Sequence, residues 1–251
     1  MSNYVITGAN SEIGRALADK LLSHGHNVLL ISRSSKSICG SAEWIDGIDL
    51  TIESDLVRLR KKVSELFNSP FALVHSVGDF WAHKSISNTP FSEAISQIHS
   101  HYLTLFGTIK AIIPIMQKNG GGKIIAFSCN SVRYNYPDMA AFTSSKAAVE
   151  CLIKCIANEQ SKYNIISNAF ALPSIQTEGV RKSKPKEFYK NFPDLNELTD
   201  CIEQTIENLS PLQHGNIINL FKYSDSFYHK GYYQRNIIWE DNSNAGTEGL
   251  L

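Results

Sequence analysis

The sequence predicts a doubly wound α/β fold, in which helices cover both faces of a parallel sheet to give three layers. Three observations support this prediction. Apolar runs of strand length alternate with amphipathic segments of helix length along most of the chain. A glycine-containing turn directly follows the first apolar run. The length of 251 residues suits one α/β domain.

The predicted elements follow one another in a regular order. The strands span residues 4–6, 28–31, 42–48, 71–75, 123–128, 164–171 and 216–221. The helices span residues 13–22, 51–67, 91–117, 140–159 and 195–209. Gly25 ends the first helix, as glycine beyond a helix C-terminus often does. Because strands separated by helices pair in parallel through right-handed crossovers, helices should cover both faces of the sheet.

Composition and charge exclude several classes of protein. The 24 basic and 24 acidic side chains cancel, so no overall field attracts nucleic acid or an anionic membrane. No run of about 18 apolar residues is present to span a bilayer, and the first ten residues do not form a signal peptide. The five cysteines include no CxxC pair, which is typical of reduced thiols. We therefore expect a cytoplasmic globular protein without affinity for nucleic acid or membrane.

Two further residue pairs have ordinary structural interpretations. Cys151 and Cys155 lie one helical turn apart on an apolar stretch, and we interpret them as small packed residues. His99 and His101 do not form a zinc site, because residues two apart on a helix point in different directions. No metal site is predicted.

The turn after the first strand contains a motif with a physical rationale. It comprises Thr7, Gly8, Ala9, Asn10, Ser11, Glu12, Ile13 and Gly14. Glycine lets the backbone turn tightly and approach a pyrophosphate, which then lies at the N-terminus of the following helix. A glycine pattern alone is weak evidence, but its place between the first strand and the first helix predicts a dinucleotide site.

Four further segments accompany this turn in a fixed order. They are Asp49-Leu50 after the third strand, His75 to Gly78 after the fourth, the helical segment Ser144 to Val149, and a segment from Asn168 through Pro173 to Thr177. Together with the first turn they resemble the short-chain dehydrogenase/reductase family of classical type, over nearly the whole chain. One departure lies in the turn itself, where Glu12 stands in the position of the family's middle glycine. The resemblance implies a Rossmann-like domain over residues 1–222. Residues from 223 onward lose periodicity, which predicts a partly loose extension at 223–251.

The resemblance also implies which residues hold a nicotinamide dinucleotide. They are Gly8, Asn10, Ser11, Ile13, Gly14, Ser32, Arg33, Asp49, Leu50, Ser76, Val77, Gly78, Lys146, Ile175 and Thr177. Ser32 and Arg33 end the second strand, where a carboxylate would accept hydrogen bonds from the ribose hydroxyls and repel a 2′-phosphate. A guanidinium can pair with that phosphate, so NADP(H) is favoured over NAD(H). The alternative is that Arg33 is a solvated loop residue.

The catalytic positions depart from the family pattern. The resemblance implies asparagine, serine, tyrosine and lysine around the nicotinamide, with tyrosine as proton donor. Lys146 is retained, but Phe142, Cys129 and His101 stand at the tyrosine, serine and asparagine positions. Phenylalanine has no proton to give, and a positioned general acid contributes about 10²–10⁴ in rate. We therefore expect ordinary carbonyl reduction to be crippled.

Other residues remain candidates for the missing roles. Ser128 and Ser131 flank Cys129, and Tyr134 and Tyr136 precede Phe142. His75 and His101 are candidates to carry protons near neutral pH, although His101 is also interpreted as a helix residue that fills the asparagine's space. Cys129 would act as a nucleophile only with a partner base.

The remaining inferences concern substrate and partners. Basic residues are frequent in 178–193, where the family carries its substrate-covering loop; the segment is either a solvated loop or a site for an acidic or phosphorylated ligand. Two functions remain open. One is an NADP(H)-dependent oxidoreductase with a rearranged acid/base set, acting on a small carbonyl or acidic substrate, and the other is a non-catalytic member of the family. The second would be a structural or regulatory subunit in a mixed oligomer with an active relative. The resemblance implies a homo-oligomer or a mixed oligomer that forms through the long helices predicted at 91–117 and 140–159.

Overall fold

The computed structural model describes residues 1–34, 40–82 and 84–220. Its strands are β1 (Asn3–Thr7), β2 (Asn27–Ile31), β3 (Glu43–Ile45), β4 (Phe71–His75), β5 (Gly122–Cys129), β6 (Ile165–Leu172) and β7 (Ile217–Asn219). Its α-helices are α1 (Glu12–Ser23), α2 (Glu53–Leu66), α3 (Phe91–Ile98), α4 (Thr104–Lys118), α5 (Ser131–Tyr134), α6 (Ala140–Gln160), α7 (Glu178–Ser183), α8 (Lys186–Tyr189) and α9 (Leu195–Asn208). Short 3₁₀ turns occur at Ile86–Asn88 and Ser161–Tyr163.

The seven strands form one parallel sheet in the order β3-β2-β1-β4-β5-β6-β7. Successive side chains of each strand point to opposite faces, so Val5 packs into one apolar cluster while Tyr4 and Ile6 pack into another. The first cluster contains residues of α2, α4 and α6, and the second contains residues of α1 and α9. The prediction of a doubly wound, three-layered α/β fold is confirmed.

The predicted helix 91–117 is interrupted. The structure contains α3, a π-helical segment over His99–Leu103, and α4 in its place. The π segment accommodates an additional residue per turn, and π segments often mark functional sites. His101 lies in this segment and is buried.

Two other expectations need correction or lie outside the described residues. Cys151 and Cys155 are exposed on α6, so interpreting them as packed residues was wrong. The predicted extension at 223–251 and the end of the last predicted strand lie outside the described residues. Cys39, one of the five cysteines, also lies outside them.

Candidate functional site

The first turn has a backbone that only glycine fits at two positions. Gly8 has φ +70°, and a β-carbon there would lie 2.8 Å from the carbonyl carbon and oxygen of Ser76. A β-carbon at Gly14 would lie 2.5 Å from the carbonyl oxygen of Gly8. Ser11 caps α1 by accepting a hydrogen bond from the Gly14 amide at 3.0 Å. The turn therefore brings β1, the β4 end and the α1 N-terminus together.

A cleft of about 480 Å³ opens beside this turn at the carboxyl ends of the strands. Ten of the predicted cofactor residues line it: Gly8, Asn10, Ser11, Ser32, Arg33, Asp49, Leu50, Ser76, Val77 and Gly78. Asp79, Ser96, His99, Ser100 and Thr104 also line it, and the sequence motifs did not identify these. The remaining predicted cofactor residues lie outside the lining: Ile13 and Gly14 in α1, Lys146 in α6, and Ile175 and Thr177 after β6.

The end of β2 forms one wall of the cleft. Ser32 is buried, and its hydroxyl donates to the carbonyl oxygen of Ser34 at 2.8 Å. Asn10 donates to the same carbonyl at 2.7 Å, while its own side-chain oxygen is buried and has no hydrogen-bond partner among the described residues. Arg33 is exposed at the cleft. The guanidinium is thus available to a ligand, whereas the Ser32 hydroxyl already has an acceptor.

Asp49 lies in the loop after β3, next to the end of β2, where the Ile48 amide donates to the Ser32 carbonyl oxygen at 3.1 Å. Its carboxylate accepts hydrogen bonds from the Thr51 hydroxyl at 2.6 Å and the Thr51 amide at 2.9 Å. The Thr51 hydroxyl bond is the largest cause that lowers the pKa of Asp49, with a smaller contribution from Arg33. The cleft therefore holds an ionised carboxylate and a guanidinium on the neighbouring loops after β3 and β2.

His101 lies at the centre of a buried hydrogen-bond network. Its Nδ1 is 2.7 Å from the Ser145 hydroxyl, and its Nε2 is 2.7 Å from the Asp79 carbonyl oxygen. The Ser145 hydroxyl also lies 2.7 Å from the Phe142 carbonyl oxygen. This network joins the π segment, the loop after β4 and helix α6. Ser145 is a site residue that sequence reasoning missed, although it precedes Lys146 directly.

Lys146 and Phe142 lie one helical turn apart on the buried face of α6. The Lys146 ammonium donates to the Phe127 carbonyl oxygen at 3.0 Å and lies 5.8 Å from the centre of the Phe142 ring. Burial lowers the pKa of Lys146 to about 8. The Phe142 ring packs edge-on against Phe80 at 5.0 Å and His101 at 5.3 Å between ring centres. Position 142 is thus enclosed by aromatic rings.

Cys129 lies at the end of β5, half-buried, where its sulfur accepts a hydrogen bond from the Ser131 amide at 3.5 Å. Its neighbour Ser128 donates to Glu150 at 2.6 Å, and Arg133 donates to the same carboxylate oxygen at 3.0 Å. The Ser128 hydroxyl proton is therefore already donated to the carboxylate of the Arg133–Glu150 ion pair. Ser128 therefore cannot also serve as the missing hydroxyl without breaking a buried contact.

The two candidate histidines do not exchange protons near neutral pH. His75 is fully enclosed, with Nδ1 2.8 Å from the Thr7 hydroxyl and Nε2 3.3 Å from the Thr104 hydroxyl. Burial, and secondarily the Lys146 charge, lowers the pKa of both His75 and His101 to about 3. The expectation that either one carries a proton near pH 7 was wrong, because both imidazoles are held neutral.

These neutral imidazoles predict an acid-sensitive fold. Each histidine has a pKa near 6.5 when unfolded, so below that pH the unfolded chain binds more protons than the folded chain. Their contribution to stability is present above pH 6.5 and is lost as the pH falls toward 3, by about 1.4 kcal/mol per pH unit for each.

Urea unfolding at pH 7.5, 6 and 5 tests this prediction. His101→Asn should reduce the loss of unfolding free energy per pH unit by about 1.4 kcal/mol, the share of one histidine. His99→Asn, at an exposed position two residues earlier, is the control and should leave the slope unchanged. An unchanged slope in His101→Asn would contradict the prediction.

Within the described residues, no helix combines the length and apolarity needed to cross a membrane. The same part of the chain contains no group of three or more histidine, cysteine, aspartate or glutamate side chains placed to hold a metal ion.

Comparisons with known proteins agree with this architecture. Residues 2–187 match the family model described as short chain dehydrogenase. A fatty acyl-CoA reductase of Acinetobacter baylyi is 26% identical over 220 residues, covering 80% of this chain and 72% of the relative. A short-chain type dehydrogenase/reductase from Mycobacterium ulcerans superposes with a TM-score of 0.79 at 17% identity, covering 93% of this chain and 96% of that one. A tyrosine-to-phenylalanine variant of ElxO with NADPH bound superposes with a TM-score of 0.78 at 21% identity, covering 87% and 96%. The family match spans well over half of the residues, and the chain therefore belongs to the short-chain dehydrogenase family.

Proposed function

We propose that this chain is an NADP(H)-binding short-chain dehydrogenase in which ordinary carbonyl reduction is crippled. The observation that carries the proposal is the Phe142 ring, which lies beside the Lys146 ammonium and packs against His101 and Phe80. A phenyl ring neither donates a proton nor stabilises a developing oxyanion. The retained Lys146 and the intact glycine turn nevertheless favour nucleotide binding.

The cleft meets the requirements of a dinucleotide. Gly8 leaves free the space that a β-carbon would fill, and the α1 N-terminus opens beside it. The buried side-chain oxygen of Asn10 has no partner in the part of the chain that the structure describes, so a ligand that donates a hydrogen bond would satisfy it. Gly8, Ser11 and Ser76 would line the phosphates, and Asp49 and Leu50 would face the adenine side. When bound, the nicotinamide group supplies or accepts a hydride.

Arg33 supports the choice of NADP(H). It is the exposed guanidinium at the end of β2, and no carboxylate stands in the last position of that strand or directly after it. A guanidinium forms charge-assisted hydrogen bonds with a phosphate. ElxO, whose fold is similar, has been solved with NADPH bound while carrying phenylalanine in place of a tyrosine.

Replacing Arg33 should distinguish the two cofactors. Arg33→Ala should weaken NADPH binding about tenfold, because a charge-assisted hydrogen bond contributes about 1.5–3 kcal/mol. NADH binding should change little, since NADH lacks the 2′-phosphate. Fluorescence titration of both nucleotides measures the effect, with Lys61→Ala on the exposed face of α2 as a charge-matched control. Equal weakening of NADPH and NADH would assign Arg33 to general attraction of anions.

The residues around Phe142 perform only part of the usual chemistry. Lys146 would position the nucleotide ribose through its ammonium, which the Phe127 carbonyl holds in place. His101 would hold the loop at Asp79 against helix α6 through its two hydrogen bonds. Both imidazole nitrogens are engaged by these contacts, and burial lowers the pKa of His101 to about 3, so the ring is a poor proton donor near neutral pH. The network therefore binds and orients but lacks an acid at the reacting carbonyl.

The charges of the segment after β6 indicate a class of substrate. Arg181, Lys182, Lys186 and Lys190 are exposed there, and Lys182 pairs with Glu178. Since the other three cations have no acidic partner among the ion pairs of the described residues, they favour an acidic or phosphorylated carbonyl compound over a neutral one. A neutral small carbonyl remains the alternative substrate.

A second candidate function is that of a non-catalytic subunit paired with an active relative, or with a second copy of this chain. Exposed apolar side chains on the π segment and α4, Leu103 and Phe106, favour such an association. The exposed Cys151 and Cys155 on α6 add a further weakly polar surface. Light scattering of the purified protein would reveal self-association, and co-purification of a catalytically active relative would favour the mixed assembly.

One experiment tests the nucleotide binding and the loss of turnover in the first proposal. NADPH and NADH are titrated against the purified protein, and a panel of neutral and acidic carbonyl compounds is then screened for oxidation of NADPH. Binding without turnover supports the proposal, and robust turnover by the unaltered chain would overturn the crippled-enzyme assignment. If neither nucleotide binds at millimolar concentration, the cofactor assignment fails as well.

A further inference from the structure

Glu12 forms a contact that joins two distant parts of the chain. It is the first residue of α1 and stands between the N-cap Ser11 and the rest of the glycine turn. Its Oε2 accepts a hydrogen bond from the Glu178 amide at 2.6 Å. Glu178 is the first residue of α7, 166 positions along the chain.

This carboxylate caps α7 together with Thr177. The first amides of a helix have no acceptor within the helix. Thr177 accepts from the Val180 amide at 3.3 Å, and Glu12 accepts from the Glu178 amide. A carboxylate at a helix N-terminus is also favoured by the helix dipole. Glu12 thus holds the start of the segment formed by α7 and α8.

The other end of that segment has its own attachment. The Gln176 side chain donates to the Phe192 carbonyl oxygen at 2.7 Å, and Phe192 is buried. The Gln176 amide donates to the Pro193 carbonyl oxygen at 2.9 Å. Between these contacts the basic side chains at 181–190 face solvent for the most part. The Glu12 contact is therefore the link from α7 to the nucleotide turn.

The same carboxylate stands at the helix end that a pyrophosphate would occupy. The α1 N-terminus attracts an anion through its free amides and dipole. A negative side chain on the first residue of that helix weakens this attraction and would repel a dianion bound at the same helix end. The side chain that anchors α7 thus also opposes the phosphates.

We propose that Glu12 is an affinity-determining strap, which fastens the α7–α8 segment to the nucleotide turn and weakens dinucleotide binding. The effect on dinucleotide binding rests on the proposed function. The attachment of α7–α8 concerns the protein without nucleotide and rests on the Glu12–Glu178 contact. Two separate measurements therefore test these two roles.

Two substitutions divide the charge from the hydrogen bond. Glu12→Gln removes the charge but retains an acceptor for the Glu178 amide, whereas Glu12→Ala removes both. In fluorescence titrations at low salt, both variants should bind NADPH about fivefold more tightly, and the gain should shrink at high salt. Asp19→Asn, at an exposed position on α1, is the charge-matched control and should bind like the unaltered protein. Unchanged affinity in both variants would overturn the role in binding.

Limited trypsin digestion reports on the strap without any nucleotide. Mass spectrometry measures the cleavage rate after Arg181, Lys182, Lys186 and Lys190, at a temperature where every variant remains folded. Glu12→Ala should be cleaved there at least about threefold faster than Glu12→Gln or Asp19→Asn, since local opening follows the lost hydrogen bond. Equal cleavage rates in all variants would show that Glu12 does not hold the α7–α8 segment in place. If no variant binds NADPH at millimolar concentration, the proposed function fails, while this digestion still decides the structural half.

Discussion

Restoring the two missing hydroxyls should raise carbonyl reduction by about 10²-fold or more. In Phe142→Tyr with Cys129→Ser, the new phenol would lie beside the Lys146 ammonium, which lies 5.8 Å from the centre of the present ring. A neighbouring positive charge lowers the pKa of a phenol and so promotes proton exchange near neutral pH. A positioned general acid contributes about 10²–10⁴ in rate, and an oxyanion donor about 10²–10³. The initial rate of NADPH oxidation over the carbonyl panel measures the gain.

The controls separate chemistry from packing. Phe142→Leu opens space against Phe80 and His101 without supplying a phenol, so it should leave turnover at the level of the unaltered protein. The single variants should each recover less than the double, because the residues of such a site act as a unit. Adding Lys146→Met to the double variant should remove the gain. If the unaltered chain already turns over and the phenol adds nothing, another group supplies the proton.

The elements around the nucleotide turn could be predicted because their causes are local. An apolar run, two glycines and an amphipathic helix specify β1, the turn and α1 within the continuous stretch 3–23. The π segment at His99–Leu103 could not be predicted in this way, since one additional residue in a turn leaves the surrounding apolar pattern of α3 and α4 intact. Consequently the sequence placed His101 on a helix but did not predict its contacts with Ser145 and Asp79.

Two other failures have different physical origins. Cys151 and Cys155 lie about 200° around the helix from the buried Val149 and Ile153, so attention to the helical wheel rather than to apolar composition would have placed them outside. The contact between Glu12 and Glu178 joins residues 166 positions apart and depends on where α7 packs. No local pattern contains that information. The departure of Glu12 from the glycine pattern was the signal available in the sequence.

The cleft wall at Leu50 depends on a close approach that one substitution should abolish. Helix α4 crosses the loop after β3 at Gly107, where a β-carbon would lie far inside van der Waals contact of the Leu50 carbonyl oxygen. It would also lie 3.1 Å from the carbonyl carbon of Leu50 and 3.4 Å from the Leu56 side chain. Because a backbone carbonyl cannot rotate away as a side chain can, α4 would have to move as a whole.

Gly107→Ala should therefore lower the free energy of unfolding by about 3 kcal/mol or more, at the upper end of overpacking effects. The helix propensity of alanine opposes this loss by only about 1 kcal/mol. Gly179→Ala makes the same chemical change where the nearest atom is 3.9 Å away, and it should be neutral or slightly stabilising. Urea unfolding followed by circular dichroism measures both, and equal stability of the two variants would mean that α4 does not lie so close to Leu50. Because Asp49 and Leu50 line the cleft, any folded Gly107→Ala protein should also bind NADPH more weakly, which ties the packing of α4 to the nucleotide site.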